Sequence, residues 1–165
     1  MIKQVKASLS EKVLLIFLIL LILITFGSYF LLKDKCLFVK NIDPNKIYFT
    51  NTDNIAIMNV ECGNVIIELD PNTSPNSVQR FKTLIKNGSY DGSTFYRVIK
   101  NTLIQAGDIE YGNINDLNYT KIGTGKSGLG LLKSELSDAF QFKKGSVAFA
   151  RKDDFDTEDS QFFIT

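Results

Sequence analysis

The chain of 165 residues contains no histidine and no tryptophan. The absence of histidine excludes Ser-His-Asp and Cys-His catalysis, together with every metal site that uses histidine ligands. Basic and acidic side chains nearly balance at a net charge of +1, so charge does not indicate nucleic acid, and we expect no nucleic-acid partner. The length leaves room for one domain plus additional segments.

Cysteine is also scarce, with only Cys36 and Cys62 present. Two cysteines are too few for a zinc site or a disulfide-rich scaffold. They could pair in an oxidising compartment, but pairing requires a geometry that the sequence does not reveal. The favoured interpretation is two unrelated thiols, and a disulfide is the alternative.

What the chain does have is a long apolar run near its start. Residues 13–32 carry no charge and are almost wholly Leu, Ile, Phe and Val. A helix of this length spans roughly 30 Å, the thickness of a bilayer core. A signal-peptide core is usually about 7–15 residues long and ends in small residues before a cleavage site. We therefore expect an uncleaved anchor, with a cleaved signal as the alternative and the lipid bilayer as a partner through 13–32.

Lysines flank the apolar run on both sides, so the positive-inside rule nearly cancels. A short basic N-terminus before a long domain favours a cytoplasmic N-terminus, with the domain outside in a periplasm or secretory lumen. The following residues are rich in Asn, Asp, Lys and Thr, which is typical of a tether. The predicted segments are a basic N-terminus at 1–12, a transmembrane helix at 13–32, a tether at 33–54 and a domain at 55–165.

The predicted domain opens with a hairpin and a helix. Strand-like runs at 55–60 and 65–69 flank a turn at Cys62-Gly63-Asn64. Thr73-Ser74-Pro75 then predicts a helix start, with a hydroxyl at the cap and proline in the first turn. Asn87-Gly88 is expected to end the helix. Its apolar face is predicted to contain Val78, Phe81, Leu84 and Ile85.

A second hairpin is predicted from strands at 94–99 and 103–106. If residues 100–102 form a three-residue turn, Arg97 faces Gln105 on one side of the hairpin, whereas a two-residue turn would break this pairing. The segment 107–144 is rich in loops, and further strands are expected at 147–151 and 161–165. Many short strands with few helices favour a mainly β fold, specifically an antiparallel barrel.

Seven motifs, in this order, resemble those of cyclophilin-type peptidyl-prolyl isomerases over residues 55–165. They are GNVIIEL at 63–69, TSP at 73–75 with its helix, FYRVI at 95–99, IQAGD at 104–108, GTG at 123–125, GSVAFAR at 145–151 and SQFFI at 160–164. The resemblance implies an eight-stranded antiparallel barrel capped by two helices. The family's last strands and second helix would follow Thr165, so we interpret the chain as C-terminally truncated and the barrel as incomplete, with one capping helix.

The resemblance also implies site residues. Arg97 corresponds to the catalytic arginine, and Gln105 to its supporting amide. Two positions depart from the family pattern: Thr102 stands where a pocket phenylalanine is expected, and Tyr96 stands where histidine is usual. The positions implied to bind substrate are Leu103, Thr102, Ala150, Arg151 (through its backbone) and Phe163.

Isomerisation of an X-Pro bond breaks no covalent bond, so neither a nucleophile nor a metal or cofactor is expected. Its barrier is about 18–20 kcal/mol because the planar amide must twist. A guanidinium that binds the prolyl nitrogen of the twisted amide would favour that transition state. The implied partners are proline-containing polypeptides and, by family resemblance, cyclosporin-like ligands.

Three hypotheses follow from these features. The leading one is a membrane-anchored prolyl isomerase that assists protein folding outside the cytoplasm. The second is a catalytically weak or inactive proline-peptide binding module at a membrane, motivated by Thr102 and the lack of tryptophan for the groove. The third is a truncated product that does not fold.

Overall fold

The structure is a computed structural model that describes residues 8–33, 36, 39, 42–138 and 140–165. Two short 3₁₀ helices, Pro44–Lys46 and Thr52–Asn54, precede the first strand. The longer elements are α1 (Leu9–Lys33), β1 (Ile55–Val60), β2 (Gly63–Glu68), α2 (Pro75–Lys86), β3 (Arg97–Ile99), β4 (Leu103–Ala106), β5 (Val147–Phe149) and β6 (Phe162–Ile164).

The chain divides into two compact units. The first contains α1, the described residues that follow it up to Tyr48, and Ile57–Ile66. The second contains Phe49–Ala56 and Ile67–Thr165, and it holds every residue for which the sequence implies a catalytic or substrate-binding role. Each unit is described by itself below.

In the first unit, α1 is a continuous helix of 25 residues that contains the predicted span 13–32. Its mean hydropathy reaches 2.8, and none of its residues is buried. By length and composition the helix is able to cross a bilayer, although a signal sequence close to an N-terminus has the same properties.

The first unit also contains a disulfide bond between Cys36 and Cys62, whose Cα atoms lie 4.9 Å apart. The interpretation of two unrelated thiols is therefore wrong. Cys36 follows the end of α1 and Cys62 lies in the turn between β1 and β2, so the bond joins segments 26 residues apart in the chain. The side chain of Asn64 also donates a hydrogen bond to the carbonyl of Ile42, at 3.2 Å.

The predicted first hairpin is confirmed as a two-stranded sheet of β1 and β2. Strand β1 has the predicted bounds, whereas β2 begins at Gly63, two residues earlier than expected. The connection is consequently the tight turn Glu61-Cys62, and Gly63 enters the strand with a positive φ of 142°.

The predicted helix is confirmed as α2, with Pro75 in its first turn, but its cap differs from the prediction. Ser74 makes no side-chain capping bond. Instead, the carboxylate of Glu135 accepts hydrogen bonds from the backbone N–H groups of Asn76 and Ser77, at 2.8 and 2.9 Å. Burial acts to raise the pKa of Glu135, but these hydrogen bonds outweigh it and the pKa is lowered. A carboxylate 59 residues away in the chain thus satisfies the orphan donors of the helix.

The apolar face of α2 is largely as predicted. Leu84 is only 1 % exposed, and Val78 and Phe81 are also buried. Ile85 is 42 % exposed, which corrects its assignment to the buried face. Its position next to Leu84 on the helix turns its side chain away from the strip that α2 buries.

The second unit is organised by a four-stranded antiparallel sheet with the order β3-β4-β6-β5. Residues 100–102 form the three-residue turn, so Arg97 pairs with Gln105 as predicted. Gln105 pairs in turn with Phe163, and Phe163 with Ala148. Directly paired residues of adjacent strands share a sheet face, so these four side chains form one row across the sheet.

The opposite face of this sheet packs against α2. The ring of Phe81 lies 5.4 Å from that of Phe162 and 6.1 Å from that of Phe149, and Tyr90 contacts both Phe81 and Phe162. Because side chains alternate along a strand, the helix covers one face and leaves the row containing Arg97 on the other.

Several strands are shorter than predicted. β3 starts at Arg97 rather than at residue 94, because the backbone N–H of Thr94 bonds to Gly112 at 2.9 Å instead of entering the sheet. Segment 107–144 is irregular where it is described, apart from isolated bridges. The two sheets do not close into a barrel within the ranges that the structure covers, and the two α-helices account for a large share of the regular structure.

Removing the disulfide by Cys62→Ser should lower the free energy of unfolding. Closing a loop of this length removes unfolded-state entropy worth roughly 3 kcal/mol. Thermal unfolding followed by circular dichroism measures the loss. In the native sequence, thiol titration in denaturant should detect no thiol before reduction and two thiols after it. Cys36→Ser should have the same effect, and the double variant should be no worse than either single one. Additive losses would contradict a shared bond.

Candidate functional site

Arg97 and Gln105 lie at one end of the row on the sheet face opposite α2. Arg97 is exposed, and its Nη1 donates a hydrogen bond to Oε1 of Gln105 at 3.2 Å. Gln105 itself is only 9 % exposed, so its amide is held in place by its surroundings. A guanidinium has five N–H donors, and this bond uses one of them. The arrangement anchors the cation while leaving it at the surface.

Tyr96 and Gln161 complete a polar network behind this pair. The hydroxyl of Tyr96 donates to Oε1 of Gln161 and accepts a hydrogen bond from Nε2 of Gln105. Nε2 of Gln105 also lies 3.4 Å from the same Gln161 oxygen. Burial and, to a smaller extent, the charge of Asp108 raise the pKa of Tyr96, whereas Arg97 and the hydrogen bond with Gln105 lower it, and the net effect raises the pKa to about 12. The hydroxyl therefore keeps its proton at neutral pH and can act as both donor and acceptor.

Asp108 is a charged side chain with no exposed surface. Its Oδ1 accepts hydrogen bonds from the backbone N–H groups of Glu110 and Tyr111, at 3.2 and 2.8 Å. Its Oδ2 accepts from the N–H groups of Gly123 and Gly125, at 2.6 and 3.0 Å. A buried carboxylate is tolerated when its oxygens are hydrogen-bonded in this way. Asp108 thereby fastens the loop that contains the two glycines to the end of β4.

That glycine loop positions Gln161. Nε2 of Gln161 donates to the carbonyls of Gly123 and Gly125, at 3.2 and 3.0 Å. The loop leaves no room for a side chain at Gly125, where an added Cβ would lie 2.1 Å from Oδ1 of Asp108. Gln161 lies in the SQFFI motif but received no predicted role. The only indication of its importance in the sequence is its position in that motif, two residues before Phe163.

A cleft of about 320 Å³ lies beside the network. Both glutamines line it, and so do Ala150 and Arg151, two of the predicted substrate-binding residues. The backbone N–H of Ala150 bonds to the carbonyl of Gln161 at 2.7 Å, which extends the pairing of β5 and β6 to the edge of the cleft. Amide groups and backbone therefore border a space large enough for peptide side chains.

The side chain of Arg151 turns back onto its own loop. Its Nη1 donates to the carbonyls of Lys152 and Asp153, both at 2.9 Å, and its guanidinium lies 4.8 Å from the ring centre of Phe155. The role of Arg151 through its backbone stays a prediction.

The other predicted pocket residues do not line the cleft. Phe163 and Leu103 are half-buried and lie on the same sheet face as Arg97. The ring of Phe142, which no motif singled out, packs 5.5 Å from that of Phe163. Thr102 is exposed in the turn, and its hydroxyl bonds to the carbonyl of Lys100 at 3.4 Å.

The second unit thus contains an anchored guanidinium, half-buried apolar side chains on the same sheet face, and a cleft bordered by two glutamine amides. Comparison with known proteins identifies the family. The sequence profile described as "Cyclophilin type peptidyl-prolyl cis-trans isomerase/CLD" matches residues 55–165. The chain belongs to the cyclophilin family. Residues 55–165 are accordingly called the cyclophilin domain below.

Individual relatives agree with this membership. A probable peptidyl-prolyl cis-trans isomerase of Brucella suis is 35% identical over 113 residues, covering 68% of this chain and 57% of the relative. A peptidyl-prolyl cis-trans isomerase of Acinetobacter baylyi is 36% identical over 107 residues, covering 65% and 52%. The crystal structure of a Cryptosporidium parvum cyclophilin-type isomerase matches with a TM-score of 0.53 and 28% identity, covering 62% and 60%. The chain thus spans little more than half the length of these curated relatives.

Gly125→Ala should destabilise the cyclophilin domain, because the new methyl group would collide with the carboxylate of Asp108. Overpacking of this kind typically costs about 1–3 kcal/mol. Urea unfolding followed by circular dichroism measures the loss. Lys126→Ala is the matched control, since it removes only an exposed side chain from the next position. Equal unfolding midpoints for the two variants would show that the loop is not held as described.

Proposed function

We propose that the cyclophilin domain accelerates the cis–trans isomerisation of X-Pro bonds in polypeptides, with Arg97 as its catalytic residue and Gln105 as the supporting amide. The uncatalysed reaction takes tens of seconds because the amide loses its resonance as it twists. Catalysis then requires groups that bind the twisted amide more tightly than the planar one.

The observation that carries the proposal is the exposed guanidinium of Arg97, held by Gln105 on the sheet face opposite α2. As the amide twists, the lone pair of the prolyl nitrogen becomes available as a hydrogen-bond acceptor. A positively charged N–H donor aimed at that nitrogen stabilises the twisted form and gains little from the planar one. The bond to Gln105 supports this role because it restrains the guanidinium before substrate arrives.

One hydrogen bond is not sufficient for efficient catalysis. An acceleration of 10⁵-fold needs roughly 7 kcal/mol, whereas one charge-assisted hydrogen bond contributes about 1.5–3 kcal/mol. The remainder has to come from binding the proline ring and excluding water. Phe163 and Leu103 are suited to hold the ring, because both lie on the face of Arg97 and are only partly exposed.

The cleft beside Gln105 is suited to the residues that precede the proline. Ala150 and the backbone of Arg151 border it, so an extended peptide could lie along this edge. The Cryptosporidium parvum relative was crystallised in the presence of the dipeptide Ala-Pro. Proline-containing polypeptides are therefore the proposed substrates, and a cyclosporin-like ligand would compete for the same surface. Thr102, at the turn, offers the proline less apolar surface than a phenylalanine would.

Arg97→Ala should lower kcat/KM for an Ala-Pro peptide about 10- to 150-fold, the value of one charge-assisted hydrogen bond. Exchange spectroscopy by NMR measures the isomerisation rate directly. Arg97→Lys should recover only part of the activity, because an ammonium cannot keep both the bond to Gln105 and the planar fork of donors.

Lys100→Ala serves as the matched control, since it removes an exposed cation three residues away without touching Arg97. Its rate should equal that of the native sequence. If Arg97→Ala also left the rate unchanged while the peptide still bound, the domain would be a proline-peptide binding module rather than an isomerase.

We further infer that α1 anchors the domain in a membrane and that the domain lies on the extracytoplasmic side. The exposed apolar surface of α1 supports the first inference. The bond between Cys36 and Cys62 supports the second, because disulfides persist in periplasmic and secretory compartments and are rare in the cytosol. Folding assistance to exported proteins is the corresponding role.

A membrane-impermeant maleimide should label the two cysteines in intact cells only after an impermeant reductant is added. The expected result follows from a disulfide that faces the outside. A variant with both cysteines replaced by serine is the control and should stay unlabelled. Labelling that needs no reductant but requires permeabilised cells would place the thiols in the cytoplasm. Release of the domain by alkaline carbonate would indicate a cleaved signal instead of an anchor.

A further inference from the structure

The hydroxyl of Tyr96 lies between the side chains of Gln161 and Gln105. It donates a hydrogen bond to Oε1 of Gln161 and accepts one from Nε2 of Gln105. A primary amide has a donor end and an acceptor end of nearly equal size. Which end of each glutamine faces the other therefore depends on the groups around them.

The direction of Gln161 is set by the glycine loop. Its Nε2 donates to the carbonyls of Gly123 and Gly125, which can only accept hydrogen bonds. The loop cannot shift easily, because the buried carboxylate of Asp108 binds the N–H groups of the same two glycines. Oε1 of Gln161 is consequently the end that faces Tyr96 and Gln105.

Tyr96 passes this direction on to Gln105. With its proton given to Oε1 of Gln161, its oxygen offers only a lone pair to Gln105, so Nε2 of Gln105 must face it. Oε1 of Gln105 then points toward Arg97, whose Nη1 lies 3.2 Å away. The reverse orientation of Gln105 would bring its NH₂ group against the guanidinium, two donors facing each other.

We propose that the Tyr96 hydroxyl is a positioning group for Arg97, acting by fixing the amide of Gln105 with its carbonyl toward the guanidinium. The inference rests on the proposed isomerase function. Tyr96 itself touches no reacting atom. Without its hydroxyl, Nε2 of Gln105 would keep only the contact of 3.4 Å with Gln161, and the amide could turn over. The guanidinium would then spend part of its time without an acceptor, away from the position that meets the prolyl nitrogen.

Tyr96→Phe removes the hydroxyl and keeps the ring. In the full chain, solubilised in detergent, it should lower kcat/KM for an Ala-Pro peptide about 3- to 10-fold, the value of one neutral hydrogen bond. KM should change little, because the apolar surface and the cleft remain. The side-chain amide signals of Gln105 in ¹⁵N–¹H spectra should shift or broaden, a readout that does not depend on activity.

A double-mutant cycle separates positioning from a general structural effect. In the Arg97→Ala background, Tyr96→Phe should have no further effect on kcat/KM, because the group it positions is gone. Tyr90→Phe is the matched control. It also removes a partly buried hydroxyl, which bonds to the carbonyl of Ser160 at 2.7 Å, but on the face of the sheet that packs against α2. It should lower the melting temperature and leave the rate unchanged.

The possible outcomes distinguish the two proposals. If Arg97→Ala lowers the rate but Tyr96→Phe matches the native sequence, the positioning role is wrong and the isomerase proposal stands. If Tyr96→Phe lowers the rate by the same factor with and without Arg97, Tyr96 does not act through the guanidinium and the role is again wrong. If Arg97→Ala has no effect, the proposed function itself fails, and unchanged Gln105 amide signals in Tyr96→Phe would then exclude the positioning contact as well.

Discussion

A carboxylate with no exposed surface, that of Asp108, has to be hydrogen-bonded on both oxygens to remain buried. It obtains four backbone N–H donors, two from the chain that follows it and two from the loop at Gly123 and Gly125. The loop then holds Gln161, which through Tyr96 and Gln105 reaches the guanidinium of Arg97. The polar half of the site thus depends on one buried carboxylate. Gly125 is needed because a side chain there would collide with that carboxylate, and Gly123 because its φ is +92° and an added Cβ would lie 3.2 Å from the ring of Tyr96.

The four-stranded sheet separates the site from the core. One face carries the row from Arg97 to Ala148, and the other packs Phe162 and Phe149 against Phe81 of α2. Because the two faces alternate along each strand, a shift of one residue in register would bury the cation and expose the aromatic core. The packing of α2 therefore protects the register on which the site depends. The end of that helix is in turn capped from the loop segment by Glu135.

The first unit adds a second set of constraints that bear on location rather than catalysis. The helix α1 is exposed and apolar over 25 residues, which is long enough to cross a bilayer. The disulfide that follows it joins Cys36 to the turn of the first hairpin. A disulfide persists in an oxidising compartment and is rare in the cytosol, so this bond bears on which compartment holds the chain after the helix.

The sequence by itself determined the features that depend on local order. The alternation of side chains along the strands, with a three-residue turn, predicted that Arg97 lies opposite Gln105. Pro75 and the apolar residues at helical spacing after it predicted α2. Short motifs were sufficient to indicate the cyclophilin family over residues 55–165. Each of these signals lies within a few residues along the chain, where strand and helix periodicities fix which side chains are neighbours.

Tertiary structure decided the contacts between distant segments. The cap of α2 by Glu135, the bond between Cys36 and Cys62 and the hydrogen bond from Tyr96 to Gln161 join residues 59, 26 and 65 positions apart. No local pattern records such a partner, since a carboxylate, a thiol or an amide is equally able to face solvent. Only the folded chain brings a donor and an acceptor together and removes the water that would otherwise satisfy them.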